Sequence, residues 1–312
     1  MIGRGRAVFS SSRIPIRVGG SNGLVHEGSL GSLVSGLSSV AASLLVTLFP
    51  SDCRLCGTPL TNIARLPVCQ ECLLAMRPIG DGVCSICGER MVSPFAFSSE
   101  EDAPQCGLCR RLAPPFVKAV AYGSYEGGLR ELIHLLKYDG VRPAANVLGR
   151  MLAEAISSLA PVLDASGTVV IPVPLHVRKL RQREFNQTEL IARAALKFIG
   201  KPEKFEMNLR VLERRRATQS QIGLSRHQRR ENMRGAFGIA HANEIKGRTV
   251  LLVDDVYTTG TTASECARVL RRAGASKIYV ATVARTLKLE VQGATLPEPV
   301  IETGLAMAAY GS

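Results

Sequence analysis

Tryptophan is absent from this 312-residue chain, and aromatic residues make up only 5% of it. Gripping a single nucleic-acid strand by base stacking needs repeated aromatic platforms. The most basic part of the chain offers only Phe185, Phe198, Phe205 and Phe237, so tight or sequence-selective recognition of a single strand is not expected. A secretory leader is also missing: the first forty-nine residues hold no charged segment abutting an apolar core and a cleavage site. A cytoplasmic location is therefore expected. No uninterrupted apolar run is long enough to span a bilayer, which needs about 20 residues. Leu30–Phe49 comes closest, but Ser and Gly break it. Within it Leu30, Leu33, Val34, Leu37, Ala41, Leu44, Leu45 and Leu48 recur with helical period, which predicts an amphipathic helix over 30–49. No basic face accompanies that stripe, so packing on the protein body is favoured over a membrane surface. Residues 1–29, rich in Gly, Ser and Arg, are expected to be disordered.

Acid is in deficit. Lys and Arg number 39 against 26 Asp and Glu, giving a net charge of +13 and a pI near 9.6. Such a balance favours an anionic partner: nucleic acid, a phosphorylated substrate or a membrane surface. The excess is local, because Ile171–Phe237 alone carries sixteen Lys and Arg against six Glu. The length allows two domains with one substantial core.

Cysteine is plentiful by contrast. Eight of the nine fall in four C-x-x-C pairs: Cys53/Cys56, Cys69/Cys72, Cys84/Cys87 and Cys106/Cys109. That spacing lets two thiolates grip one ion from a tight knuckle. Gly57 and Gly88 supply the permissive residue such a turn prefers. Cys53–Cys72 and Cys84–Cys109 each open with C-x-x-C-G and close with C-x-x-C, an internal repeat that suggests two successive ribbons, each binding one structural zinc. Spacing alone leaves open an interleaved arrangement of first with third and second with fourth pair. Disulfides would require an oxidising compartment, and redox C-x-x-C motifs occur singly, so both are disfavoured. Cys266 shares a helix face with Ala263, Ala267 and Leu270 and reads as a core thiol.

The pattern richest in chemistry is Val250-Leu-Leu-Val-Asp-Asp-Val-Tyr-Thr-Thr-Gly-Thr-Thr262. Val250–Val253 reads as a buried parallel strand. Asp254 and Asp255 follow at its carboxyl end, where open α/β sheets bind ligands. Thr258, Thr259, Gly260, Thr261 and Thr262 then lead into a helix, and amides converging there suit a phosphate. Paired acids after a strand also serve simply to cap a turn. The thirteen residues together, however, resemble without a gap the phosphoribosyl-pyrophosphate (PRPP) motif of type I phosphoribosyltransferases.

Elsewhere, helical periodicity marks 128–138, 143–159, 186–199 and 262–273, and strands are expected over 116–125, 168–173 and 277–283. Strands alternating with helices imply a mostly parallel sheet. Arg214–Phe237 is basic, polar and fits no regular element; it reads equally as a solvated charged loop or as an anion-binding arm. The segment 286–312 has no clear period and is expected to be loosely held.

Three further runs carry a closer resemblance: Tyr125–Tyr138, Ile171–Gln187 (IPVPLHVRKLRQREFNQ) and Gln219–Phe237. With the cysteine-rich start and the PRPP motif they resemble the ComF competence family, in that family's order, from about Leu44 to Arg285. One departure stands out: Glu184 occupies the place before Phe-Asn-Gln where the family commonly has Gly. The resemblance implies an α/β fold, a type I phosphoribosyltransferase-like parallel sheet flanked by helices over 116–285, preceded by a double zinc ribbon over 50–112. It implies that Asp254 and Asp255 hold ribose hydroxyls, that 258–262 cradle the 5′-phosphate, and that Mg²⁺ bridges pyrophosphate and ribose oxygens. Arg178, Lys179, Arg181 and Arg183 are the candidate pyrophosphate cations, and His176 either joins them or is a surface residue. The family is implicated in DNA uptake during transformation. Two functions follow as expectations: transfer of phosphoribosyl from PRPP to an unknown acceptor, or a nucleic-acid-handling adaptor that meets single-stranded DNA and the uptake machinery. A third, a regulator that only senses PRPP, fits the same residues.

Overall fold

The computed structural model describes residues 51–60, 65–91, 103–163, 167–200, 202–218 and 225–287. The expectations for 1–29, 30–49 and nearly all of 286–312 lie outside the described residues. Two short helices belong to the cysteine-rich part, α1 (Gln70–Ala75) and α2 (Gly107–Arg111). The chain continues through β1 (Lys118–Ser124), α3 (Gly127–Lys137), α4 (Ala144–Ser157), β2 (Thr168–Pro172), α5 (Val177–Arg183) and α6 (Gln187–Leu196). After these come β3 (Phe205–Met207), β4 (Leu212–Arg214), α7 (Arg226–Met233), β5 (Phe237–Ile239), β6 (Thr249–Tyr257), α8 (Thr261–Arg272) and β7 (Lys277–Arg285). No helix among the described residues is long and apolar enough to cross a membrane.

Five strands form one parallel sheet in the order β1-β7-β6-β2-β3, and β4 pairs antiparallel with β5 beside it. All five residues of β2 and the first five of β6 are buried, as expected of strands covered on both faces. Successive side chains alternate between two cores. Val170, Leu251 and Val253 meet Leu132, Leu136, Leu148, Leu152 and Ile191 from α3, α4 and α6. Val169, Ile171, Val250 and Leu252 meet Ala263, Cys266, Ala267 and Leu270 of α8, so Cys266 is a core thiol. Helices α4 and α6 pack closely: a Cβ on Gly149 would fall 2.4 Å from that of Ala194.

Strand order reverses between β2 and β6, because the chain steps outward to β3 on one side and to β7 on the other. Ligands of open parallel sheets bind at that crevice. The last β2–β6 pair is Pro172 with Val253, so β2 leaves β6 immediately before the two acids, whereas β7 accompanies β6 as far as Tyr257. The central strand is therefore longer than its apolar run suggested, and the acids lie within it, on its free flank. Another difference is α7, a helix inside the segment that fitted no regular element; Gln228 and Ser225 reciprocate hydrogen bonds at its start.

Strand β1 is one edge of the sheet, and the cysteine-rich part closes it. Ala119 donates to the Ile86 carbonyl at 2.6 Å and Ile79 donates to that of Tyr122 at 2.6 Å. An exposed parallel edge would otherwise template aggregation.

Candidate functional site

The eight paired cysteines resolve into two clusters, Cys53/Cys56/Cys69/Cys72 and Cys84/Cys87/Cys106/Cys109, with the sulfurs of each within 4.8 Å of one another. The successive arrangement is thus the one adopted, and the interleaved one is excluded. Each begins with a knuckle: Gly57 donates to the Cys53 carbonyl at 2.8 Å and Gly88 to that of Cys84 at 2.9 Å, with φ of 74° and 71°. Amides point at sulfur, from Cys69 to Cys53 Sγ at 3.3 Å and from Cys106 to Cys84 Sγ at 3.2 Å. Thiols this crowded do not ionise together without a cation. The hydrogen bond from the Cys87 thiol leads in drawing Cys84 down to about 4, while burial first of all pushes Cys109 up to about 12. Four sulfurs at this spacing, braced by N–H groups, suit a tetrahedral structural zinc in each cluster.

The two acids have different surroundings. Asp255 is buried; its Oδ2 accepts from Lys137 Nζ of α3 at 2.9 Å and from Gln187 Nε2 of α6 at 2.8 Å. Burial works against the Lys137 charge, but Asp255 outweighs it and the ammonium is held above its usual range. Asp254 is partly exposed, and its Oδ1 accepts the Asp255 amide at 2.9 Å. Its carboxyl is pushed up to about 7, first by burial and then by the Asp255 charge, against the pull of the Asp255 amide, Lys137 and Arg214. A group titrating near neutrality at a strand end is where binding chemistry is expected.

Beyond β6 the chain turns at Gly260, whose φ of 73° is the left-handed region; a Cβ there would fall 2.2 Å from the Tyr257 hydroxyl. Gly260 is thus required twice, by its dihedral and by its neighbour. It is the N-cap of α8, with no side chain capping the helix. Thr259 and Thr261 hydroxyls share a hydrogen bond of 2.8 Å across the turn, and Thr258, Thr259, Thr261 and Thr262 all retain solvent exposure. The positive end of the α8 dipole faces this turn. From Thr258, Thr259 and Thr261 a groove of about 930 Å³ runs along Arg268, Arg271 and Arg272 to the second cysteine cluster.

The four candidate cations lie on α5 and divide in two. Arg183 is half-buried, donates to Gln187 Oε1 at 3.0 Å and lies 5.2 Å over the Tyr138 ring. Lys179 is exposed, like Arg178 and Arg181, and its ammonium is pushed below its usual range by burial and then by Arg214, Arg183 and Lys137. His176 caps α5, its Nδ1 accepting from the Arg178 amide at 3.3 Å, a local structural role. Glu184 ends α5 at φ 65°, the one non-glycine with positive φ among the described residues, and pairs with Arg142 at 3.8 Å. That left-handed position gives a physical reason for a glycine there.

Sequence reasoning missed three members of the site: Lys137, Gln187 and Arg214. Lys137 had a readable signal, since it lies four residues after Ile133 on the buried stripe of α3, where a charge needs a partner. Gln187 closes the Phe-Asn-Gln run, beside Asn186, whose Oδ1 caps α6 by accepting the Thr188 amide at 3.1 Å. Arg214 opens the ambiguous basic segment. It lies 5.4 Å over the Phe237 ring, and burial holds it below its usual range although Asp254 opposes this.

Comparison with known proteins agrees with this architecture. Residues 204–293 match the phosphoribosyl transferase domain and residues 44–112 the double zinc ribbon domain. The chain is 31% identical over 245 residues to the DNA utilization protein YhgH of Escherichia coli K12, covering 76% of this chain and 98% of that one. It is 32% identical over 231 residues to Competence protein F of Haemophilus influenzae, covering 70% and 96%. Amidophosphoribosyltransferase of Saccharomyces cerevisiae is 28% identical over 188 residues, covering 58% of this chain and 33% of that enzyme. With a double zinc ribbon, a phosphoribosyltransferase-type sheet and relatives matched over nearly their whole length, the chain belongs to the ComF competence family.

Proposed function

We propose that the chain binds PRPP with Mg²⁺ at the end of β6 and transfers its phosphoribosyl group to an acceptor. The observation that carries this reading is the juxtaposition of the Asp254–Asp255 pair with a glycine turn at a helix start, at the point where strand order reverses. On this reading the 258–262 turn takes the 5′-phosphate and the acid pair faces the ribose hydroxyls. Lys179 and Arg183 supply positive charge towards pyrophosphate. The protein donors are two acids already flanked by Lys137 and Arg214, not an all-oxygen cage. They fit a metal that arrives on the substrate and keeps several waters. Bound there, Mg²⁺ would neutralise charge on the leaving group. The protein's own contribution is to orient the ribose and to place fixed dipoles where charge develops.

Calorimetry with PRPP and Mg²⁺ tests the site. Wild type is expected to bind, and Asp254→Asn to bind at least about tenfold more weakly, the loss of one charge-assisted hydrogen bond. No binding by wild type sinks the reading.

A second reading, a nucleic-acid-handling adaptor, is supported by the names of the relatives and by the surplus of Lys and Arg over 171–237. Affinity for single-stranded DNA should then fall steeply with salt, and Arg178→Glu with Arg181→Glu should weaken it for all sequences alike. Affinity independent of salt contradicts it.

A further inference from the structure

The groove beside the phosphate turn has two unlike walls. One is the outward face of α8, where Ser264, Arg268, Arg271 and Arg272 follow helical spacing opposite the buried Ala263, Cys266, Ala267 and Leu270. The other comes from the second ribbon and the chain beyond it, Leu108, Leu112, Ala113, Pro114 and Pro115, and Leu112 is 56% exposed. Two of the lining cations are already matched: Arg268 pairs with Glu265, and Arg285 with Glu89 at 3.0 Å. Arg234, Arg271 and Arg272 are exposed and form no ion pair among the described residues, and of the lining carboxylates only Glu231 is left to oppose them. A site basic on one side and apolar on the other fits an occupant with anions along one edge and hydrocarbon along the other. Single-stranded nucleic acid meets only the first demand. Tyr257 is the one aromatic residue on the lining, and it is buried beneath the Arg285 guanidinium, so bases find no stacking platform.

The chain itself carries a segment that meets both demands. In a protein of net charge +13, residues 289–312 hold Glu290, Glu298 and Glu302 and no Lys or Arg, with Leu296, Val300, Ile301 and Leu305 between and beside the acids. Arg285, the last residue of β7, lines the groove, so the chain enters this segment from the groove's own rim. With 12 residues α8 is about 18 Å long, which 24 residues at up to about 3.3 Å each span with slack. We propose that 289–312 docks in this groove of its own chain, with carboxylates on Arg271 and Arg272 and apolar side chains on Leu108, Leu112 and Pro114. Exposed ion pairs are weak, but a tether this short gives an effective concentration of about millimolar, so they suffice within one chain. The groove opens at Thr258, Thr259 and Thr261, so the docked segment brings negative charge to the approach of the phosphate turn. On the reading that this turn takes the PRPP 5′-phosphate, docking opposes PRPP binding, and PRPP in turn opposes docking.

Because the chain has no tryptophan, Ile301→Trp places a single reporter between Glu298 and Glu302 in the full-length protein. Its emission should be blue-shifted, shielded from acrylamide and independent of protein concentration. Arg271→Glu with Arg272→Glu should lower the docking equilibrium about tenfold, two exposed pairs being lost and replaced by repulsion, and move the emission towards that of an exposed indole. Adding Glu298→Lys and Glu302→Lys to that variant should restore the shielding, which a mere distortion of α8 would not allow. Emission of an exposed indole in the otherwise wild-type chain overturns the proposal. So does shielding that grows with concentration, which assigns the groove to a second copy, and shielding unmoved by the arginine reversal, which puts the segment elsewhere. The effect on the turn is read by PRPP–Mg²⁺ calorimetry: Glu298→Gln with Glu302→Gln should bind about threefold more tightly than wild type. An unchanged affinity with the tryptophan released overturns the opposition between segment and ligand. If wild type binds no PRPP, that substrate reading falls alone, and the tryptophan decides the docking.

Discussion

The two zinc ribbons have nearly the same sequence plan and nearly the same local geometry, yet they are embedded differently. Both begin with a glycine-closed knuckle, both place the third cysteine at a helix N-cap (Cys69 and Cys106), and both carry an isolated antiparallel bridge, Asp52 with Pro59 and Val83 with Arg90. In the first ribbon Cys56 is exposed and Cys69 and Cys72 are half-exposed. Its apolar residues, Cys53, Val68 and Met76, join the core beneath α3. In the second ribbon Cys84, Cys87 and Cys109 are all buried, on the opposite face of the sheet. There Arg285, 3% exposed at the end of β7, donates to the Cys87 carbonyl and to Glu89 Oε2 at 3.0 Å, and its guanidinium lies 4.5 Å over the Tyr257 ring. Tyr257 in turn is the residue against which Gly260 turns. The second ribbon is therefore joined through two side chains to the candidate phosphate turn. The first has no such connection among the described residues. Local sequence sets a zinc knuckle, and residues nearly two hundred positions away decide what the knuckle supports.

The largest test of this difference removes one ribbon at a time. Wild type should hold two zinc ions per chain by elemental analysis, and Cys56→Ser with Cys72→Ser or Cys87→Ser with Cys109→Ser should each hold one. Structural zinc contributes folding free energy outright. Loss of the second ion should therefore loosen the turn as well as the ribbon, raising hydrogen exchange of the amides over 258–263 by about tenfold or more. Loss of the first should leave those amides within about twofold of wild type. Equal acceleration in both variants would erase the distinction.

What could be read beforehand divides along the same line. The knuckles, the parallel sheet, the acid pair and the glycine turn are local patterns, so spacing and period revealed them. The extension of β6 through its acids was not readable, since it depends on β7 pairing as far as Arg285. Lys137, Gln187 and Arg214 gain their roles from contacts between elements that meet only in the folded chain. The same holds for Arg285, which ends an apolar strand and gives no sequence sign that its partner is a zinc knuckle. Glu184 is intermediate: the family's glycine marked the position, but the reason, a left-handed helix end, is visible only in the backbone.

A smaller and sharper test compares one ion pair from each ribbon. Arg285→Met removes a cation enclosed between Cys87, Glu89 and Tyr257 and leaves the Glu89 carboxylate, 13% exposed, without it. Breaking a buried pair from one side costs about 3 kcal/mol or more. Chemical denaturation should show that loss at an unchanged slope, the sign that stability and not the extent of unfolding has altered. Arg54→Ala removes the first ribbon's ion pair with Asp139, 3.7 Å long with side chains 57% and 47% exposed. Solvent screens such a pair, and about 0.5 kcal/mol or less is expected. The contrast has a further consequence for pH. Arg285 stays charged throughout the accessible range, so the second ribbon's link to the turn should persist up to pH 9. If Arg285→Met and Arg54→Ala shift the denaturation midpoint equally, the buried arginine contributes no more than a surface one, and the second ribbon is no better anchored than the first.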